Sequence, residues 1–225
     1  MVRAVTPDAP ALDGSAPDGS APDVLAPATL GPIALRNRVI KSATFEGVTP
    51  DGLVTDELIA YHRRPAAGGV AMTTVAYLAV SPQGRTERRQ IHWRPEAVPG
   101  LRRLTEAVHA AGAAVAAQIG HAGPVADARS NRAPALSCSP LLNPVSMRRT
   151  RAATVADIER VTAEHARAAR LAVESGFDAV EIHLGHNYFA SAFLSPRLNK
   201  RDDAYGGSLA NRAKVALGLA RAVRA

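Results

Sequence analysis

Cysteine is nearly absent. A single residue, Cys138, in a chain of 225 excludes any intrachain disulfide and any cysteine-based metal cluster. Lysine is scarce as well, with only Lys41, Lys200 and Lys214, so a formal charge of +7 rests almost wholly on arginine. Those arginines are scattered along predicted helices (Arg102, Arg103, Arg160, Arg167, Arg170) with no aromatics between them. They read as solvated helix faces rather than a nucleic-acid surface, with some attraction left for phosphate-bearing small molecules. Aromatic residues make up 4%, so the core implied by an apolar fraction of 47% must be built from small, closely packed side chains. There is no run of about 18 uncharged apolar residues and no apolar leader, and the expectation is a soluble, cytoplasmic protein without a membrane partner.

Residues 1–23 consist mostly of Ala, Pro, Asp, Gly and Ser, with GSAPD repeated in tandem at 14–18 and 19–23. Such a segment cannot bury enough apolar surface to offset its ordering entropy and is expected to be disordered. From residue 24 onward the texture changes. Strands are predicted over 38–44, 68–80, 113–123 and 177–183, and helices over 55–64, 95–111, 154–176 and 208–225. Thr55 and Thr154 are the expected N-caps, Pro65 lies near the end of the first helix, and Gly112 and Gly176 stop the second and third. The segment 124–153, rich in Pro, Ser and Arg, reads as a long working loop.

Short apolar strands bounded by glycine and alternating with helices give an α/β class, with parallel strands covered by helices. About four β/α units are present, half of an eight-fold barrel. In such folds chemistry gathers at the carboxyl ends of strands, and polar residues fall there: Thr44, Tyr77, Gln118, His121 and His183, with His186 and Tyr188 just beyond. One strand-end histidine reads as a structural hydrogen-bonding residue, whereas three on adjacent strands point to a site. His121, His183 and His186 would also suit a metal-dependent hydrolase, a weaker rival that predicts bound zinc. Glu181 shares strand parity with His183 and, if it faces inward, needs a partner, for which Lys41 is the candidate.

The run EIHLGHNYFASAFLSPRLNKRDDAYGGSLANR (181–212) resembles the signature of the old yellow enzyme family of FMN-dependent NAD(P)H oxidoreductases. LGPIALRNRVIKSAT, SPQGR, AAQIGHAG and GFDAVEIH resemble further family segments in order and spacing, so the resemblance spans about 24–225. It implies a partial (β/α)8 TIM barrel, the N-terminal half, binding FMN and using NAD(P)H to reduce the activated C=C bond of an enone-type small molecule. It implies that His183 and His186 hold the substrate oxygen and that Tyr188 gives a proton to the α-carbon. It further implies that Gln118 bonds the flavin pyrimidine edge, that Ala43, Thr44 and Tyr77 approach the flavin largely through backbone, and that His183 lies beside it. Phe45 stands where the family carries Thr, Cys or Ser, and Asn187 where it carries Gly, a turn position that asparagine tolerates. The implied fold lacks four strands, so the chain is expected to be a fragment, or a truncated product weak or inactive alone. Its partner would be the missing C-terminal half or a second copy. The competing expectation is a non-catalytic half barrel that self-associates or docks through its open edges.

Overall fold

The computed structural model describes residues 23–143 and 146–225. The tail expected to be disordered lies almost wholly outside the described residues. Elements run in the order β1 (Ala28–Leu30), β2 (Ile33–Leu35), β3 (Ile40–Lys41), α1 (Asp56–Ala67), β4 (Met72–Ala79), α2 (Val98–Ala110) and β5 (Ala114–Gly120). They continue with β6 (Leu136–Ser137), β7 (Arg151–Ala152), α3 (Val155–Glu174), β8 (Ala179–Ile182), α4 (Phe189–Leu194) and α5 (Leu209–Arg224).

Local chemistry sets the helix starts. Thr55 accepts from the Leu58 N–H and opens α1, with Asp56 and Glu57 complementing the helix dipole in its first turn. Thr154 and Asp157 form a reciprocal capping box at the head of α3. Along α3 the buried side chains Ile158, Val161, His165, Ala168 and Ala172 recur at helical spacing, with Ala168 and Ala172 in the core against the sheet and Ile158 and Val161 packed with Phe189, Phe193, Val215 and Leu219 of α4 and α5.

A four-stranded parallel sheet, in the order β3-β4-β5-β8, carries these helices. Each of its strands is followed by one of α1, α2, α3 or α5, so the chain builds four consecutive β/α units, a half barrel. The main core lies between sheet and helices, where Val75, Leu78, Val115, Ala117 and Ile119 meet Leu58, Leu101, Leu104, Val108, Ala168 and Ala172. On the opposite, concave face, the antiparallel β1–β2 hairpin places Leu35 and Ile33 against Met72, Ala116 and Ala179, flooring the amino-terminal end of the strands. That leaves the carboxyl ends for the site. Among the described residues no helix is long and apolar enough to cross a membrane.

The differences from expectation are local. The first strand pairs only at Ile40 and Lys41, against Met72 and Thr73, rather than over 38–44. The first helix passes Pro65 and runs to Ala67. A proline in the last turn forfeits one N–H, and the Gly68 and Gly69 N–H groups still close onto Arg64 and Ala66. The segment 124–153 is not featureless, since β6 and β7 pair within it. The β1–β2 hairpin and α4 were not foreseen. Three-residue strands and a six-residue helix are too short to show a period.

Candidate active site

The ends of β4, β5 and β8 bring four rings together. Tyr77 lies 5.6 Å from His183 and 5.5 Å from Tyr188 between centroids. His183 lies 5.0 Å from His186 and 4.6 Å from Tyr188, both edge-on. The His183 N–H donates to the Ile119 carbonyl at 2.9 Å, so the backbone keeps sheet geometry one residue past β8. Gly120, in the neighbouring strand, makes room for the cluster. A Cβ there would stand 3.0 Å from the His183 Cβ and 3.2 Å from Tyr77 Cδ2.

A tight turn then folds His186 back over His183. His186 and Asn187 have φ of 55° and 54°, and the Tyr188 N–H closes onto the Gly185 carbonyl at 3.0 Å. These are the φ signs of a type I′ turn, and asparagine and histidine are among the side chains that adopt positive φ most readily. The Ser191 hydroxyl bonds the same Gly185 carbonyl at 2.6 Å and ties the turn to α4.

Hydrogen bonds fix the tautomers. The Gly185 N–H donates to His183 Nδ1 at 3.2 Å, so the neutral ring carries its proton on Nε2. That Nε2–H donates to His186 Nδ1 at 3.1 Å, which puts the His186 proton on its outward Nε2. Burial, then the neighbouring His186, hold His183 below the usual imidazole range, against a smaller opposing pull from Glu181. Burial pushes the Tyr188 phenol up, so it keeps its proton at neutral pH.

The two tyrosines differ in what their hydroxyls do. Tyr77 donates to the Gly84 carbonyl at 2.7 Å and is nearly buried, whereas the Tyr188 hydroxyl has no hydrogen-bond partner among the described residues. Tyr77 also sits in a β-bulge. The β4–β5 register shifts between Val75 and Leu78, so Ala76 and Tyr77 together oppose Gln118. A bulge frees main-chain groups and re-aims side chains, here at a strand end. Gln118 faces the concave side, where its Nε2 donates to Glu181 Oε1 at 2.5 Å, and its Oε1 receives no donor from the described residues. A ring N–H would complete that amide, so the strand end fits the polar edge of a flavin.

The other expected residues lie apart. Ala43 and Thr44 follow β3, beyond β4 from the rings. The Thr44 hydroxyl accepts from Lys41 Nζ at 2.8 Å and lies 3.1 Å from Glu46 Oε1. Burial raises the Glu46 pKa, but the hydrogen bond and charge of His62 and the charge of Lys41 outweigh it and leave the carboxyl below its usual range. Phe45 is 60% exposed.

One expectation and one rival reading fail. Lys41 does not pair with Glu181. It lies in register with Thr73, whose hydroxyl meets His62 of α1, and so points to the helix layer, where it pairs with Glu46 at 3.3 Å. Glu181 faces the concave side, with two strands between it and β3. The histidine metal triad does not form either. His121 is buried with Nδ1 accepting from the Gly123 N–H at 3.0 Å, and no three metal-ligating side chains converge among the described residues. Gly120 and the bulge were not read from the sequence. Gly120 carried a visible signal, a glycine between Gln118 and His121, while the bulge sits in an unbroken apolar run that gives none.

The second part of the 181–212 signature, 199–212, is spent largely on bracing. The Asn199 amide donates to the Phe193 and Tyr205 carbonyls, both at 2.8 Å. Arg201 reaches the Cys138 carbonyl at 3.0 Å and the Ala153 carbonyl at 2.7 Å, and pairs with Asp203. Arg212 donates to the Leu194 carbonyl at 2.9 Å.

A parallel β/α half barrel with its polar side chains gathered at the carboxyl ends of the strands belongs to the class of barrel enzymes. Residues 23–225 match the family described as NADH:flavin oxidoreductase / NADH oxidase, and the chain belongs to it. FMN, with NADH or NADPH as reductant, is the cofactor pair of that family. A 4,4′-dithiodibutanoate disulfide reductase of Rhodococcus erythropolis is 55% identical over 168 residues, which are 75% of this chain and 42% of that protein. An NADPH dehydrogenase of Listeria monocytogenes is 35% identical over 73% of this chain and 48% of its own length. The chain thus spans less than half the length of these curated relatives. Among solved structures, old yellow enzyme from Pichia sp. AKU4542 superposes with a TM-score of 0.84 at 26% identity, covering 89% of this chain and 55% of that one. Morphinone reductase in complex with tetrahydroNAD gives 0.82 at 27% identity, over 90% and 60%.

Proposed function

We propose that residues 24–225 form the N-terminal half of an FMN-binding barrel, and that the protein containing it reduces activated C=C bonds of α,β-unsaturated carbonyl compounds at the expense of NAD(P)H. The observation that carries this reading is the pairing of a free Tyr188 hydroxyl with two neutral histidines in one ring cluster. FMN, when bound, supplies the relay of a hydride from NAD(P)H to the β-carbon. Gln118 would hold the pyrimidine edge of that group, with the bulged backbone at Tyr77 and the backbone of Ala43 and Thr44 alongside.

The chain's own residues do the rest. His186 Nε2–H already points outward, and His183 Nε2–H becomes available when a substrate oxygen displaces it from His186. Once both donors turn to one substrate oxygen, they stabilise the charge that develops there without carrying a counter-charge into the resting site. Tyr188 keeps its proton because burial raises its pKa, and it delivers that proton to the α-carbon. The double bond thereby gains hydride at one carbon and a proton at the other, and NAD(P)H is oxidised. Tyr77 cannot take that role while its hydroxyl is bonded to Gly84.

The 55% identity to a relative named for reducing an organic disulfide supports a second acceptor class at the same site, with Tyr188 protonating a departing thiolate. The test is direct. The 225-residue chain is mixed with FMN, desalted and examined for a retained flavin band near about 450 nm, then assayed with 2-cyclohexenone and with 4,4′-dithiodibutanoate. Retained flavin with turnover of either acceptor supports the reading. Loss of all flavin assigns the cofactor site to parts beyond this chain and favours the non-catalytic half barrel.

A further inference from the structure

Four arginines from two separate stretches of the 124–153 segment share one cleft. Arg129 and Arg132 come from one side and Arg148 and Arg149 from the other, around a cavity of about 410 Å³. Elsewhere in this region arginine is neutralised, as Arg151 and Arg160 are by Asp157 and Arg201 is by Asp203. The four cleft arginines have no carboxylate partner among the described residues. The carboxylate nearest in sequence, Asp127, is turned to the backbone N–H groups of Arg129 and Ser130. Four like charges around a concave space repel one another and concentrate anions. Guanidinium matches carboxylate and phosphate oxygens through paired N–H donors.

The cleft also touches the candidate active site. Ala128 and Ala135 line it and at the same time pack in the apolar cluster that contains Tyr77 and Tyr188. The cleft and the ring cluster therefore share the residues Ala128 and Ala135 and are neighbours on the same end of the sheet.

We propose that this cleft is an anion-binding subsite for a phosphate or carboxylate carried by a molecule whose reacting end lies at Tyr188, His183 and His186. The proposal rests on the enone-site reading above, and two sources share the chemistry, the phosphates of the dinucleotide reductant and an acidic group on the acceptor.

Calorimetric titration of the 225-residue chain separates them. The probes are inorganic pyrophosphate, NADPH, NADH, trans-3-benzoylacrylate and its neutral methyl ester. The variants are Arg132→Ser/Arg149→Ser in the cleft and, as a charge-matched control on another face, Arg63→Ser/Arg64→Ser. The expected result is at least about a tenfold loss of pyrophosphate affinity in the cleft variant, with salt-sensitive binding in the parent and little change in the control. Unchanged melting temperatures check that both variants fold. A matching loss for NADPH and NADH assigns the anion to the reductant's diphosphate, a loss for NADPH alone assigns it to the extra phosphate, and a loss for benzoylacrylate but not its ester assigns it to the acceptor. Equal losses in cleft and control variants, or no saturable pyrophosphate binding to the parent, would overturn the subsite. Failure of the enone site has a different signature: the ester binds no differently to a His183→Ala variant, while pyrophosphate still distinguishes cleft from control.

Discussion

His183 donates its Nε2–H to His186 Nδ1 across 3.1 Å, with the direction of the bond set by the backbone N–H of Gly185 on the far side of the His183 ring. Long-range nitrogen–proton spectra at pH 7.5 should therefore show both rings as neutral Nε2–H tautomers. A His183 signal of the Nδ1–H form would reverse the bond and remove the outward donor assigned to His186.

Tyr77 and Tyr188 should part company on losing their hydroxyls. Tyr77→Phe leaves the Gly84 carbonyl without its donor and is expected to cost about 1–2 kcal/mol in urea unfolding. Tyr188→Phe is expected to cost under about 0.5 kcal/mol and, if the proposed function holds, to slow alkene reduction while sparing flavin reduction by NAD(P)H. Equal slowing of both half-reactions would count against the proton-donor role.

Gly120→Ala tests the packing of the cluster. Its methyl would meet His183 Cβ and Tyr77 Cδ2 at distances tighter than ordinary contact. A loss of about 1–3 kcal/mol is expected, together with displaced His183 ring resonances. A neutral outcome in both would mean the rings are free to move.

Asn187→Val places a β-branched residue at φ 54° and should destabilise by roughly 1–3 kcal/mol, whereas Asn187→Gly should fold as well as the parent. Similar melting temperatures for the two would show that the turn yields rather than strains.

Stability should fall in mild acid. Burial, helped by neighbouring positive charge, holds His121 down to about 3, and burial holds His165 down to about 4. The unfolded chain takes up these protons near pH 6.5, so the stability they contribute is complete above that pH and is lost as pH drops toward 4. Each contributes up to about 1.4 kcal/mol per pH unit in that window, and His121→Gln should reduce the slope by about that amount. Chemical denaturation at pH 7.5 and pH 5 measures it, and an unchanged slope in the variant would remove His121 from the account.

The alternation of strand and helix was legible because Thr55, Thr154, Gly112 and Gly176 mark boundaries by local chemistry that tertiary contacts do not override. Tyr188, His183 and His186 were legible because a strand end three residues from a second histidine is a readable geometry. What stayed hidden depends on partners distant in sequence. The face Lys41 takes is set by Thr73 and Glu46. The bulge opposite Gln118 is set by two strands together. The arginine cleft exists only once residues 129–132 and 148–149 meet.

The tail of the stretch that makes this chain recognisable hands its long polar side chains to backbone carbonyls, Asn199 to Phe193 and Tyr205, Arg201 to Cys138 and Ala153, and Arg212 to Leu194. Its residues work as tie-rods between loops, and their identity answers to the span of each tie rather than to any reacting molecule. One signature therefore has two parts, a head at 183–188 that builds the ring cluster and a tail at 199–212 that ties loops together. Substitutions around the arginine cleft could redirect what the protein accepts while leaving its family signature untouched.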